Sequence, residues 1–170
     1  MSVLLIGWEG EEAIAAIRRL HSQDDQVQMV EPDRFAAQAW RDLGAFVAVG
    51  DPTDPDLVER SAYETRTLAL FDRGRPGVAT AIVEGVRVSG ALRLVLFTGD
   101  PNGESATAFS SSGMPYVIVA LPKKTLLGRA RIEPARLAEV LDAADDLAGE
   151  PKLTADLSSD EGWEALGLSP

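Results

Sequence analysis

The turn after the first apolar run holds the residues best suited to chemistry. Residues 7–12 read GWEGEE. In a dinucleotide-binding turn, spaced G-x-G-x-x-G, the first glycine makes the tight turn, the second lets the backbone approach a pyrophosphate, and the third lets helix and strand pack closely. Only Gly7 keeps its place. Glu9 stands at the second position and Glu12 at the third, while Gly10 is displaced by one, so the sequence predicts a broken phosphate-binding turn.

The carboxylates of Glu9, Glu11 and Glu12 have two interpretations, and both are open at this point. Acids in the first turn of a helix stabilise it by about 0.3–1 kcal/mol each. Alternatively, a carboxylate occupies the place of a phosphate, because two like charges ~4 Å apart repel by about 4 kcal/mol at an effective dielectric of 20. On the second interpretation, adenosine or AMP binds better than NAD or NADH.

Further candidate ligand residues follow the next two predicted strands. Glu31 lies about 20 residues beyond the turn, where an acid hydrogen-bonds ribose hydroxyls and disfavours a 2′-phosphate. Asp51 and Thr53 are placed to reach an adenine edge. All three also fit ordinary turn chemistry beside prolines. Residues 71–75 complete the set of strand ends where an open parallel sheet binds ligands.

Catalytic and metal-binding residues are scarce. The chain has no cysteine and a single histidine, His21, which excludes thiolate chemistry and a multi-histidine zinc site. Tyr63 and Tyr116 have no lysine partner at a telling spacing, and the serines at 110–112 have no adjacent base. The sequence therefore predicts no catalytic residue and no metal site, and it favours a protein that is not an enzyme.

The elements that must position these residues alternate between short apolar runs and helical patterns. Six strands are predicted, at residues 3–6, 26–30, 46–49, 67–71, 92–97 and 116–121, with helices between them. Strands buried on both faces and joined by helices indicate a Rossmann-like, doubly wound parallel sheet of the α/β class, with strand order 3-2-1-4-5-6. Residues 1–122 form this predicted domain.

Residues 123–170 are predicted to form a basic loop, an amphipathic helix over 133–148, and an acidic tail with a short helix around Trp163. The result is a C-terminal helical extension. The apolar stripe of the helix over 133–148 is expected to bury itself either on its own sheet or on a second copy of the protein. Both interpretations are open, and the second predicts a homodimer.

Charge and hydropathy exclude several partners. The net charge is −11, and residues 133–170 carry ten acids against two bases. Nucleic acids and anionic membranes bind through clustered basic residues, so neither partner is expected. The exception is the loop with Lys123, Lys124, Arg129 and Arg131, which is interpreted as a solvated loop. The apolar runs are too short to cross a bilayer, so the expectation is a cytoplasmic protein without membrane insertion.

The segments VLLIGWEGEEAIAAIRRL and LGAFVAVGDPTDPDLVERSAYE resemble the TrkA-N type of NAD-binding domain, found in regulators of potassium conductance. That family typically has a Gly-Asp-x-Thr-Asp-Pro turn, which here occupies residues 50–55. The resemblance implies a dimeric regulatory domain that binds NAD, NADH or adenine nucleotides and reports to a membrane transporter subunit. It places the phosphate turn at Gly7 and Gly10, the ribose at Glu31, the adenine near Asp51 and Thr53, and Phe71 where the family usually has a small residue.

The sequence thus predicts a non-catalytic nucleotide-binding module, linked to the regulation of potassium transport, with weakened pyrophosphate binding. One alternative is a dimerising or partner-binding scaffold without a ligand. A second alternative is an NAD(P)-dependent oxidoreductase. The predicted binding residues are Gly7, Trp8, Glu9, Gly10, Glu31, Asp51, Thr53 and Phe71.

Overall fold

The computed structural model describes residues 2–122 and 132–170, which form one parallel sheet covered by helices on both faces. The strands are β1 (Ser2–Ile6), β2 (Gln26–Glu31), β3 (Phe46–Val49), β4 (Thr67–Phe71), β5 (Arg93–Thr98), β6 (Tyr116–Ala120) and β7 (Lys152–Asp156). The helices are α1 (Gly10–Ser22), α2 (Arg34–Asp42), α3 (Pro55–Ala62), α4 (Val78–Ser89), α5 (Glu104–Ser110), α6 (Pro134–Asp146) and α7 (Asp160–Glu164).

The strand order is β3-β2-β1-β4-β5-β6-β7, and every neighbouring pair is parallel. The central strands β1, β4 and β5 are buried throughout, as continuous apolar runs predict. Helices α1, α2, α6 and α7 contribute to the apolar core on one face of the sheet, and α3, α4 and α5 to the core on the other. The predicted doubly wound α/β sheet is confirmed.

The predicted number of strands is wrong, because the sheet has seven strands and not six. The seventh, β7, pairs with β6 in the register Tyr116↔Lys152 to Ala120↔Asp156. Its sequence, KLTAD, has a single buried residue, Ala155. An edge strand with one buried side chain has no apolar run, so its pattern does not distinguish it from a polar tail.

Helix α6 is therefore the crossover between β6 and β7, and the predicted helical extension is corrected accordingly. Its stripe of Leu137, Val140, Leu141 and Ala144 is buried in the core that α1 also contributes to. The apolar face is covered within one chain, which answers the question left open between its own sheet and a second copy. Burial of this stripe consequently supplies no argument for a dimer.

Two further expectations concern membrane insertion and the basic loop. No helix in residues 2–122 or 132–170 combines the length and the apolar character that a membrane crossing requires. The basic loop of Lys123, Lys124, Arg129 and Arg131 lies outside the described residues.

Candidate functional site

A cleft opens at the carboxyl ends of β1, β2 and β4. The chain winds outward from β1 to β3 and then returns to β4 on the other side of β1, so this is the point where the strand order reverses. Open parallel sheets bind ligands at such a point. The cleft encloses about 90 Å³ and is lined by residues 6–9, residues 30–32, Pro52, residues 70–73, Arg75 and Val78.

The turn after β1 is held tightly against β4. Gly7 has φ +76°, and a Cβ atom at this position would lie 2.2 Å from the carbonyl oxygen of Phe71. Trp8 is buried, and its Nε1 donates a hydrogen bond of 3.1 Å to the carbonyl oxygen of Ala69. Its ring packs edge-on against Phe71 and Phe97, with centroid distances of 5.2 and 4.9 Å. Gly7 thus fixes the turn, while Trp8 and Phe71 form the apolar floor beneath it.

The start of α1 is open toward the solvent. Glu9 is the N-cap residue, but its side chain makes no capping hydrogen bond, and it is exposed where it lines the cleft. Gly10 begins the helix with φ +53° and does not line the cleft. A helix N-terminus carries a partial positive charge that attracts a phosphate. The negative charge of Glu9 at the same place offsets this attraction.

Glu31 stands on the other side of the cleft from this turn, at the end of β2. It is only 8% exposed. One carboxylate oxygen accepts a hydrogen bond of 2.9 Å from the backbone N–H of Asp33, and the other accepts one of 3.1 Å from Trp40 Nε1. Each oxygen has a second acceptor position. Glu31 therefore holds the turn after β2 and keeps capacity to accept hydroxyl donors from a ligand.

Asp51 and Thr53 do not line the cleft, although Pro52 between them does. The carboxylate of Asp51 accepts hydrogen bonds from the backbone N–H and the Oγ1 of Thr53, at 2.9 and 2.7 Å. These bonds, with a smaller contribution from the Arg75 guanidinium, lower the pKa of Asp51. The predicted contact of this pair with an adenine stays a prediction.

The loop after β4 brings two arginines to the cleft, and sequence reasoning gave neither of them a role. Arg73 Nε donates a hydrogen bond of 2.9 Å to the carbonyl oxygen of Gly7, and its guanidinium lies 4.0 Å from the centroid of the Phe71 ring. Arg75 pairs with both carboxylate oxygens of Asp51, at 2.9 and 3.0 Å. Both arginines lie within residues 71–75, which the sequence places at a strand end, so the signal is present in the sequence.

A second cavity of about 220 Å³ lies between this loop and the start of α5, and we call it the β5 cavity. Asp72 and Arg75 line both the cleft and the β5 cavity, and Asp100 and Glu104 line the β5 cavity alone. The Thr98 hydroxyl donates a hydrogen bond of 3.3 Å to the Asp72 carboxylate. The two spaces adjoin at the carboxyl ends of β4 and β5.

Neither described tyrosine lies at this edge. Tyr116 is the first residue of β6 and so stands at the amino edge of the parallel sheet. Tyr63 follows α3 and is exposed. Neither residue lines the cleft or the β5 cavity.

No protein-family model matches this sequence, and no match was found among curated proteins. Solved structures are nevertheless similar over most of the chain. ChuY, an anaerobillin reductase from Escherichia coli O157:H7, aligns at 14% identity and a TM-score of 0.72, over 92% of this chain and 96% of that one.

Two further similar structures are oxidoreductases of greater length. The NADPH-dependent quinone oxidoreductase QOR2 from Escherichia coli aligns with a TM-score of 0.75 at 14% identity, over 98% of this chain and 75% of that one. The triphenylmethane reductase from Citrobacter sp., solved with NADP(H), aligns with a TM-score of 0.72 at 14% identity and the same coverage. At this identity the similarity shows the fold, which is the Rossmann fold of NAD(P)-binding proteins.

These findings correct two predictions. They support the NAD(P)-binding Rossmann fold in general and not the TrkA-N family in particular. The predicted function, a non-catalytic regulatory module linked to potassium transport, is wrong, because several of the similar structures are of reductases and oxidoreductases. The resemblance rested on short motifs in the turns after β1 and β3, and such turns recur among proteins that share this fold.

Proposed function

We propose that this protein is an oxidoreductase that binds a nicotinamide dinucleotide in the cleft and reduces a conjugated acceptor in the β5 cavity. One observation carries the proposal. The strand-end cleft is lined together by the turn after β1, the buried carboxylate of Glu31 and two arginines, and it adjoins a second cavity through Asp72 and Arg75. A cofactor site and a substrate site side by side are what hydride transfer requires.

The residues at the cleft fit the adenosine half of the cofactor. Glu31 is held at the end of β2 by Asp33 and Trp40 and has acceptor positions left for two ribose hydroxyls. The same negative charge repels a 2′-phosphate, which favours NAD(H) over NADP(H). In this respect the protein differs from the similar reductases described with NADPH or NADP(H).

The phosphate region fits only with rearrangement of side chains. The enclosed volume of about 90 Å³ is well below the roughly 300–1,000 Å³ of ordinary ligand sites. Glu9 lines the cleft and is exposed, so its side chain is free to rotate outward without disturbing the core. Trp8 and Phe71, in contrast, are buried in the floor and keep its depth constant.

A bound NADH would supply a hydride to the acceptor. The chain's own contribution is to hold the two molecules at the carboxyl ends of β4 and β5 and to let a proton reach the reduced acceptor. No tyrosine and lysine pair lines the cleft within the described residues, so water delivers this proton. Two of the similar proteins are a quinone oxidoreductase and a triphenylmethane reductase, and we expect acceptors of this conjugated kind, whose reduction does not depend on a strong acid at the site.

The test begins with binding. Titration calorimetry of the full chain with NADH, NADPH and AMP is expected to show binding of NADH ahead of NADPH. The change Glu31→Gln removes the charge that faces the ribose and is expected to weaken NADH binding by about tenfold, since a hydrogen bond to a charged group contributes roughly 1.5–3 kcal/mol. Glu84→Gln, on the exposed side of α4, is the matched control.

Turnover is then measured as the loss of nicotinamide absorbance with a quinone or a triphenylmethane dye as acceptor. We expect oxidation of NADH that depends on both protein and acceptor. The absence of NADH binding in calorimetry at millimolar ligand would contradict the proposal. Binding without turnover by any acceptor would contradict the catalytic part of it.

A further inference from the structure

We infer that Arg73 and Arg75 together form a phosphate clamp, with Asp51 occupying Arg75 until the phosphate of a ligand replaces it. The inference rests on the proposed function, since it assigns the pyrophosphate of the same ligand to residues of the β4–α4 loop. It differs from the binding mode that the glycine pattern describes, in which the start of α1 holds the pyrophosphate.

Arg73 is prepared for this role by the way it is anchored. Its Nε is bonded to the carbonyl oxygen of Gly7, and its guanidinium lies over the ring of Phe71. These two contacts fix the plane of the guanidinium beside the turn. Among the described residues, its terminal nitrogens have no hydrogen-bond partner. A guanidinium held in this way presents its outer donors in the fork that matches a phosphate.

Arg75 has a partner that a phosphate is able to replace. The Arg75 and Asp51 side chains are 47% and 53% exposed. An ion pair this exposed contributes only about 0–1 kcal/mol, because water screens it and both side chains lose entropy. A phosphate offers more charge and more acceptor oxygens than a carboxylate does, so the exchange of Asp51 for a ligand phosphate is favourable.

The position of Arg75 matches the middle of a dinucleotide. This residue lines both the cleft, which contains Glu31, and the β5 cavity, which contains Asp100. A phosphate held by Arg75 therefore lies between the two spaces. The clamp also explains how a turn with a carboxylate at Glu9 tolerates an anionic ligand, because the β4–α4 loop brings two positive charges to the same cleft.

The experiment compares ligands that differ only in their phosphates. Titration calorimetry of the full chain is performed with ADP, adenosine and inorganic pyrophosphate, and with NADH as the complete ligand. The variants are Arg73→Gln, Arg75→Gln and Asp51→Asn. Arg87→Gln, on the exposed side of α4, is the matched control for loss of one positive charge. Thermal unfolding of each variant establishes that it is folded.

Arg73→Gln and Arg75→Gln are each expected to weaken the binding of ADP, pyrophosphate and NADH by about tenfold, because each loses a charge-assisted hydrogen bond. The affinity for adenosine, which has no phosphate, is expected to stay the same. Asp51→Asn frees Arg75 and is expected to tighten ADP and pyrophosphate binding by about threefold, the effect of removing a weak competing ion pair. Arg87→Gln is expected to change nothing. The gain in Asp51→Asn is the decisive sign, because a misfolded variant does not bind more tightly.

The clamp is overturned if ADP and pyrophosphate bind equally to the wild type and to both arginine variants, or if Asp51→Asn weakens them. The outcomes also separate this inference from the proposed function. Arginine-dependent binding of pyrophosphate without any binding of NADH would support the clamp and refute the cofactor. Undiminished binding of NADH to Arg73→Gln and Arg75→Gln would refute the clamp and leave the oxidoreductase standing.

Discussion

Arginines lie at both ends of the parallel strands, which we call the amino edge and the carboxyl edge of the sheet, but their hydrogen bonding differs. At the amino edge, Arg93 is only 9% exposed, and its guanidinium donates to four carbonyl oxygens at the end of α6, those of Ala144, Asp145, Leu147 and Gly149. Arg66 pairs with Asp145, whose hydrogen bond is the main reason that the pKa of Arg66 is raised. At the carboxyl edge, Arg73 and Arg75 are exposed and make few bonds.

The difference shows which cations hold the fold and which are available to a ligand. Burial opposes the charged form of Arg93 and lowers its pKa, so its cost must be offset by the carbonyls that surround it. The carbonyls of Ala144 and Asp145 belong to the last turn of α6, where they lack intrahelical donors, and those of Leu147 and Gly149 directly follow the helix. Arg73 has no comparable set of acceptors. The amino edge uses its arginines to close the structure, and the carboxyl edge leaves donors exposed where the cleft opens.

Replacing one arginine at each edge with alanine tests this difference directly. Arg93→Ala removes the donors of four carbonyl groups and leaves them unsatisfied, which is expected to cost about 3 kcal/mol or more in the free energy of unfolding. Arg73→Ala is expected to cost only about 1 kcal/mol, because this exposed side chain loses one hydrogen bond and one cation–π contact. Urea unfolding followed by circular dichroism measures both values. Similar losses in the two variants would show that the edges do not differ in this way.

The amino edge was the part of the molecule least accessible to sequence reasoning. Arg93 is a charged residue inside an apolar run, and the acceptors that explain it come from residues 144–149, more than fifty positions later. No local pattern relates the two segments. β7 was missed for the same reason, because its place in the sheet depends on pairing with β6 and not on its own composition.

The candidate site was partly accessible, because strand ends are local features. Gly7, Glu9 and Glu31 were selected from their distance along the chain, and all three line one cleft. Arg73 and Arg75 follow β4 as directly as Glu31 ends β2, but arginine is not part of the glycine pattern that marks such a site in a sequence. Whether a charged residue is bonded elsewhere is a property of the folded structure, and it decides which arginines are available.

A second prediction concerns the two glycines of the turn. Gly7→Ala is expected to cost about 3 kcal/mol, because its Cβ would collide with the Phe71 carbonyl oxygen and φ is positive. Gly10→Ala is expected to cost about 1 kcal/mol from its positive φ alone, since the nearest atom to its Cβ would be a Glu12 carboxylate oxygen at 4.0 Å. Thermal and urea unfolding measure both. Equal costs would mean that contact with β4 is not what constrains Gly7.

A third prediction, with a smaller effect, concerns Asp146 at the amino edge. Its Oδ1 lies 3.7 Å from Arg66 Nη2, and its side chain is 70% exposed. Partial desolvation of the carboxyl group, together with repulsion from Asp142 and Asp145, raises the pKa of Asp146 above 3.8 and outweighs the attraction to Arg66, which lowers it. A raised pKa in the folded state means that folding favours the protonated form. Stability from this group is fully present below the unfolded pKa and is lost as the pH rises through the folded pKa.

The change Asp146→Asn removes the titrating group and therefore the loss of stability that accompanies its ionisation. The variant is therefore expected to be more stable than the wild type at neutral pH, by less than about 0.5 kcal/mol because the side chain is exposed. The difference should disappear as the pH falls below 3.8. Urea unfolding between acid and neutral pH measures it, with Glu84→Gln on α4 as the control for loss of one negative charge. A variant less stable than the wild type at neutral pH would show that the attraction to Arg66 dominates.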